Sequence, residues 1–115
     1  MCHELMDVMY ENLRDLLGKN RALNVAEPMT GSTDAGDVSM LLPTLHAGFG
    51  GISGALHSAE VEITDRELAY VTAAKGLALT VVDLLCDGAK KGLEIRDNYQ
   101  PPMTKAQYLK EWGKK

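Results

Sequence analysis

The feature that most constrains this chain is a lone strand-like segment among amphipathic helical segments. Residues 44–49 alternate in polarity, with Leu45, Ala47 and Phe49 on one side. A single strand leaves its backbone N–H and C=O groups without partners, so it has to join strands supplied from elsewhere. The sequence therefore predicts an α/β fold in which helices pack on at least one strand, as a part of a layer structure.

The two main helices are predicted from hydrophobic periodicity. Residues 3–17 carry leucines and methionines on one stripe, and Gly18 ends the helix. A longer helix, 65–86, follows a capping box formed by Thr64 and Glu67. Its polar and small residues fall within an arc of roughly 140°, and the rest of its circumference is apolar. Such a wide apolar arc predicts a helix that lies on a sheet through this arc, with neighbours on both flanks.

Three shorter segments complete the predicted organisation. A helical segment over 35–42 ends at Pro43, and residues 90–102, with mixed charge and a Pro-Pro pair, are expected to form a surface crossing. A second capping box, Thr104–Gln107, opens a short helix near the C-terminus. Tyr108 and Trp112 share one face of it and are expected to dock on the body of the protein.

Composition narrows the classes of partner. The chain has 115 residues and a net charge of −4, which fits one domain without the basic face that nucleic acids require. No apolar run approaches the roughly 20 residues that span a bilayer, and the N-terminus lacks the features of a signal peptide. Cys2 and Cys86 are predicted to be reduced thiols. We expect a cytoplasmic protein with neither nucleic acid nor membrane as a partner.

Histidines and glycines mark the candidate chemistry. The glycine-rich segment 48–54 leads to His57, and a neutral imidazole at the end of a loop is a common zinc ligand. A hydrogen-bonded loop histidine explains the same pattern. His46, within the predicted strand, is expected to be packed. The glycine spacing fits neither the dinucleotide fingerprint nor the Walker pattern, so nucleotide binding is the weakest alternative.

The second candidate site is the run Gly31-Ser32-Thr33-Asp34. Short side-chain oxygens at these positions cap the start of a helix, and that start carries partial positive charge that favours a carboxylate or sulfate. An ordinary helix cap explains the same residues.

The order of these motifs resembles a known family. The run GSTDAGDVS at 31–39, then Pro43-Thr44, a glycine-rich segment and His57-Ser58, resembles the C-terminal part of the zinc aminoacylase/carboxypeptidase-type amidohydrolases, in particular the aminobenzoyl-glutamate hydrolase-like members. The chain departs from many relatives at Ala59-Glu60, where an aromatic residue often follows the histidine and serine.

The resemblance implies a two-metal amide hydrolase that acts on an N-acyl amino acid or a peptide. Residues 1–115 would be a single partial catalytic domain, without the N-terminal metal-binding half and the lid domain. His57 would be the last ligand of a divalent metal, zinc or manganese, and Gly31, Ser32, Thr33 and Asp34 would line the substrate pocket. No catalytic residue is assigned within the chain.

The incomplete domain implied by this resemblance raises the question of what completes it. Activity of the isolated chain is not expected, because one histidine cannot hold two metals. A complementing chain or self-association is expected to cover its open surfaces. The alternative function is a non-catalytic binding or interaction fragment that complements another chain.

Overall fold

The computed structural model describes residues 2–24 and 31–113, and these residues form helices together with one small hairpin. The elements in chain order are α1 (His3–Leu17), α2 (Asp34–Ser39), β1 (Ile52–Ser53), β2 (Glu62–Ile63), a π-helical segment (Glu67–Thr72), α3 (Ala73–Asn98) and α4 (Lys105–Glu111). The fold is thus mixed, mostly helical with a two-stranded antiparallel sheet.

Helix α1 confirms the predicted boundaries. It spans His3–Leu17, and Gly18 follows in a left-handed conformation (φ +84°) with its N–H donating to the Arg14 carbonyl over 2.8 Å. A glycine takes this conformation at little cost, which explains the sharp end of the helix. Met9, on the predicted apolar stripe, is only 2% exposed.

The core lies where α1 crosses a seam of small residues on the longest helix. Thr72, Gly76 and Thr80 are buried at intervals of four residues. A Cβ atom at Gly76 would lie 2.8 Å from Cδ2 of Leu13, so the absence of a side chain is what lets α1 approach. The Thr80 hydroxyl donates to the Gly76 carbonyl over 2.8 Å, which satisfies this polar group inside the seam.

The predicted orientation of the long helix is therefore wrong. The arc of polar and small residues faces α1, whereas the apolar arc faces outward, with Leu85 63% exposed. Small side chains allow close helix contact, and no sheet in the described part of the chain covers the other arc. The exposed apolar residues of this arc, named here the outer face of α3, are Leu77, Val81, Val82 and Leu85.

The long helix is interrupted at the predicted end and then resumes. Asp87, Gly88 and Ala89 are left-handed, with φ of 50°, 67° and 62°, and they form a single turn of opposite hand. Residues 90–98, part of the predicted surface crossing, are helical to Asn98 and mostly exposed. Ile95 is the buried residue of this second half, and its burial contributes roughly 1.5–3 kcal/mol to holding the segment in place.

The predicted strand over 44–49 is also wrong. Residues 43–51 contain no helix, strand, turn or bend, yet their exposure alternates as in a strand. Leu45, Ala47 and Phe49 are half-buried, while His46 is exposed and so is not the packed residue expected. The alternation in sequence correctly identifies which side chains face the helices, but among the described residues no strand pairs with this segment.

The helix caps differ in how well the sequence predicts them. The box at Thr64 and Glu67 does not form, because Asp65 Oδ1 accepts from the Leu68 N–H at 2.9 Å and Glu67 lies 3.7 Å from Lys75 Nζ. The box at Thr104 and Gln107 is confirmed, with both reciprocal hydrogen bonds present.

The other two short-segment predictions are only partly correct. Helix α2 begins at Asp34 but ends at Ser39, so it is shorter than the predicted segment 35–42. Tyr108 and Trp112 stack on each other with ring centroids 5.5 Å apart. Trp112 remains 54% exposed and so does not dock on the body as predicted, whereas Tyr108 is half-buried.

The helical stretch Glu67–Asn98 is long and apolar enough to cross a bilayer by length and composition, with a mean hydropathy of 1.6 in its most apolar window. This corrects the expectation that no such run exists. The stretch also carries Lys75 and Asp83 and is broken at 87–89. The same composition is found in helices that pack in the core of soluble proteins, so it carries no assignment to a membrane here.

The molecule is open for its size. Its accessible surface is 8718 Å², against roughly 6,200 Å² expected for a folded monomer of this mass. Its radius of gyration is 16.4 Å, against about 13 Å for a compact domain of this length. The excess surface and the exposed outer face of α3 indicate that the molecule is a flat layer with one side uncovered.

Candidate functional site

The candidate site is built on a hairpin that is fixed to the start of the long helix. Ile52 pairs with Ile63 and Ser53 with Glu62. At the base of the hairpin, the Gly51 carbonyl accepts from the N–H groups of Thr64 (2.9 Å) and Asp65 (3.1 Å). Two backbone bonds to one carbonyl hold the hairpin against the helix. The hairpin is thereby placed by the helix and not by its two short strands alone.

Gly51 is the residue that makes this attachment possible. Its φ is +92°, and a Cβ atom there would lie 2.5 Å from the Asp65 carbonyl oxygen and 2.8 Å from the Ala69 nitrogen. Any side chain would both strain the backbone and collide with the helix. The glycine-rich pattern noted in the sequence thus serves close packing of backbone on backbone at this point.

The loop of the hairpin, residues 54–61, is closed by Ser58. Its hydroxyl donates to the Ala55 carbonyl over 2.8 Å and accepts from the Glu60 N–H at 3.2 Å. At Gly54 (φ +88°), a Cβ atom would overlap the Glu60 carbonyl, so the two ends of the loop meet closely. These contacts give the neighbouring His57 a fixed backbone even though the loop is exposed.

His57 lies at the tip of this loop in a left-handed conformation, with φ of +64°. Its side chain is exposed, and no described residue forms a hydrogen bond with its imidazole. A residue other than glycine in this region stores about 1 kcal/mol of strain or more, and such strain concentrates at functional sites. The loop directs an imidazole into solvent, where it can serve as one ligand of a metal.

Gly31, Ser32, Thr33 and Asp34 occupy a different part of the molecule. All four are exposed, and the Thr33 hydroxyl accepts from the Ala35 N–H at 3.4 Å as the cap of α2. The ordinary capping role expected of this run is therefore present. Their use in binding an anion or a substrate stays a prediction.

Helix α2 is attached to the segment between α3 and α4 and not to the hairpin. The Tyr99 hydroxyl donates to the Ser39 carbonyl over 2.8 Å, and the Met103 N–H donates to the Met40 carbonyl over 3.2 Å. No hydrogen bond or ion pair between described residues joins His57 to residues 31–34. The two predicted parts of the site are consequently held by separate anchors on the long helix and its continuation.

The donor set for a metal is incomplete on this chain. Within residues 2–24 and 31–113, no group of three or more His, Cys, Asp or Glu side chains is arranged to hold an ion. A catalytic zinc takes about three protein ligands. The residues present do not fit a resident metal by themselves, and His57 can supply one ligand at most.

A pocket that sequence reasoning did not identify lies between α1 and residues 45–48. Its volume is about 120 Å³, well below the roughly 300 Å³ or more of small-molecule sites. The lining includes Met6, Tyr10, Leu13, Leu45 and His46. Since the lining is mainly apolar and no charged groups converge in it, we assign it no ligand.

Comparison with other proteins adds no assignment: no family model, no curated protein and no solved structure matches this chain.

Proposed function

We propose that this chain acts as the C-terminal part of a metal-dependent amide hydrolase that takes N-acyl amino acids or peptides. The proposal starts from the order of motifs, GSTDAGDVS at 31–39 followed by His57-Ser58, which resembles the aminoacylase/carboxypeptidase-type enzymes. In this proposal the layering of a zinc-peptidase domain is completed by polypeptide outside these 115 residues.

The single observation that supports the proposal best is the conformation of His57. It combines a left-handed backbone, an exposed imidazole and a loop closed by Ser58. Asp87 and Ala89 share this conformation where the long helix is interrupted, so it is the combination with an exposed imidazole on a closed loop that distinguishes His57. Strain of this kind is retained where a side chain has to be directed to a particular point.

The division of labour follows from the donor set. His57 would contribute one metal ligand, and the exposed residues 31–34 would contact the substrate. The remaining ligands and the general base would come from a second polypeptide segment. A bound divalent metal would supply the polarisation of the amide carbonyl and the activation of water.

The test requires the complementing polypeptide. A neighbouring reading frame that encodes an HxD motif and paired glutamates would be co-expressed with this chain, and hydrolysis of N-acyl amino acids and metal content would be measured. We expect His57→Ala to lower turnover by more than the roughly 10- to 100-fold that removal of an outer-shell group costs. Its fold should be unchanged, because the side chain is exposed.

His46→Ala is the matched control. It removes a second exposed histidine of the same chain, outside the hairpin, and should leave both turnover and metal content unchanged. Full activity and full metal occupancy in His57→Ala would refute the assignment. In the isolated chain, zinc titration should reveal only weak binding, and His57→Ala should alter it little.

A second candidate function is a non-catalytic interaction fragment, and the exposed outer face of α3 favours it. This function predicts that a complex forms with the complementing chain while hydrolysis is absent. Activity measurements on the purified complex, with the His57→Ala complex as the blank, distinguish the two functions.

A further inference from the structure

Residues 45–50 carry a row of backbone groups without partners among the described residues. At its start, the Thr44 carbonyl accepts from the Cys2 N–H at 2.9 Å, but residues 45–50 form no backbone hydrogen bond with any residue of 2–24 or 31–113. The side chains of Leu45, Ala47 and Phe49 are half-buried on one side. A segment held by its side chains and open along its backbone is a template for an added strand.

Nothing in the segment protects it from pairing. Exposed strand edges in monomeric proteins are usually guarded by lysine, proline or a bulge. Residues 44–50 contain no proline and no charged residue except the titratable His46. A Cβ atom at Gly48 would meet nothing within 4 Å, so the face opposite Leu45, Ala47 and Phe49 is open at this residue. The segment itself therefore carries no proline or fixed charge that would oppose a second strand.

The uncovered surface is large enough for a stable dimer. The molecule exposes 8718 Å², which exceeds the roughly 6,200 Å² expected by about 2,500 Å². A standard interface buries about 1,600 Å² over both partners. Two copies joined at the segment could bury apolar surface next to it in addition to the backbone row.

We propose that two copies of this chain pair through residues 45–49 as antiparallel strands about a twofold axis. The proposal is independent of the hydrolase function, because it needs only the backbone of the segment. A polypeptide that supplies further metal ligands would compete with the second copy for this edge.

The alternation of exposure fixes the register. Residues directly opposite in an antiparallel pair point to the same side of the sheet, and the half-buried residues of both copies have to face their own helices. The register centred on Ala47 places Ala47 opposite the partner's Ala47 and Leu45 opposite the partner's Phe49. Leucine opposite phenylalanine is a favourable cross-strand pair, and the twofold axis repeats it.

This register assigns hydrogen bonds that can be removed. With the Ala47 pair as a non-hydrogen-bonded pair, the Gly48 N–H donates to the carbonyl of the partner's His46. The pairing stops before Thr44, whose carbonyl on the same edge accepts from the Cys2 N–H. Gly48→Pro deletes this donor in both copies, while inside one copy no described residue accepts from it. We expect wild-type protein to sediment as a dimer and Gly48→Pro to raise the dissociation constant at least about 10-fold.

The register is tested by disulfide trapping in a Cys86→Ser background, which removes the exposed native thiol. Ala47→Cys should form a covalent dimer on mild oxidation, because the two Cβ atoms face each other across the axis. His46→Cys is the control: it is more exposed, but the register places the two copies of residue 46 beyond disulfide reach. Far-ultraviolet circular dichroism confirms that each variant is folded.

Three results would overturn the proposal. The first is a monomeric wild-type protein at concentrations of tens of micromolar. The second is a dimer that Gly48→Pro leaves intact and Leu85→Gln dissolves, which would place the interface on the outer face of α3. The third is equal trapping of His46→Cys and Ala47→Cys, which would mean that copies meet without a defined register.

Discussion

The two faces of α3 differ in a way that its sequence does not suggest. The inner face, Thr72, Gly76 and Thr80, is small and partly polar, and it is buried against α1. The outer face, Leu77, Val81, Val82 and Leu85, is apolar, and it is exposed. Ordinary amphipathic helices bury the second kind of face and expose the first.

The comparison shows that close approach and hydrophobic burial are separate requirements. The inner face satisfies the first, because Gly76 lets Leu13 contact the helix backbone and Thr80 bonds within its own helix. The outer face does not satisfy the second requirement. It is apolar, but the described part of the chain provides no element that buries it. A helix with two such faces is suited to lie between α1 and a further layer.

The largest expected effect on stability comes from a larger side chain on the inner face of α3. Gly76→Leu places a branched side chain where a Cβ alone would lie 2.8 Å from Leu13, and overpacking of this kind costs about 3 kcal/mol. Chemical denaturation should therefore shift to a lower midpoint and reveal a marginal fold. Ala74→Leu, at an exposed position of the same helix, is the control and should shift the midpoint little.

If Gly76→Leu proved as stable as the control, α1 would not pack on this seam, and the comparison between the faces would fail.

An intermediate effect on stability is expected at residues 87–89, where both faces of α3 end. Ala89 has φ of +62°, a conformation that costs a residue with a side chain about 1–2 kcal/mol and glycine almost nothing. Glycine also adds conformational entropy to the unfolded chain, which offsets part of this gain. Ala89→Gly should therefore raise the free energy of unfolding by about 0.5–1 kcal/mol. Urea denaturation measures the change.

Ala78→Gly, in the same helix, is expected to change the free energy of unfolding in the opposite direction. Ala78 has ordinary helical geometry and an exposed side chain, so glycine should destabilise by about 1 kcal/mol. Equal destabilisation by both substitutions would contradict the left-handed turn at residues 87–89.

The smallest effect is expected on the outer face. Leu85 is 63% exposed, so Leu85→Gln should change the free energy of unfolding by less than about 0.5 kcal/mol. Leu13→Ala is the contrasting variant, because Leu13 of α1 lies next to Gly76 on the inner face. It should lower the free energy of unfolding by about 2 kcal/mol or more. A large loss of stability in Leu85→Gln at low protein concentration would mean that the outer face is covered within one copy.

The candidate site was predictable in its parts but not in its arrangement. The glycine-rich run and His57 could be identified from residue types, since only glycine takes the conformations found at Gly51 and Gly54 without strain. The left-handed backbone of His57 could not, because histidine takes that conformation only in a minority of cases and no local pattern indicates which histidine does. The separate anchoring of residues 31–34 depends on the bond between Tyr99 and Ser39, which are 60 residues apart.

The features that the sequence determined by itself are therefore those that depend on interactions between residues close in the chain. The extent of α1, the cap at Thr104 and the turn at Asp87-Gly88 each depend on interactions within a few residues, and periodicity and residue type reveal them.

Tertiary structure alone decided which face of α3 is buried and whether residues 44–49 become a strand. Both depend on partners distant in sequence: a helix face is buried only by an element that fits it, and a strand exists only when a neighbour accepts its hydrogen bonds. Here α1 fitted the small seam, and the described residues provided no neighbour for the strand.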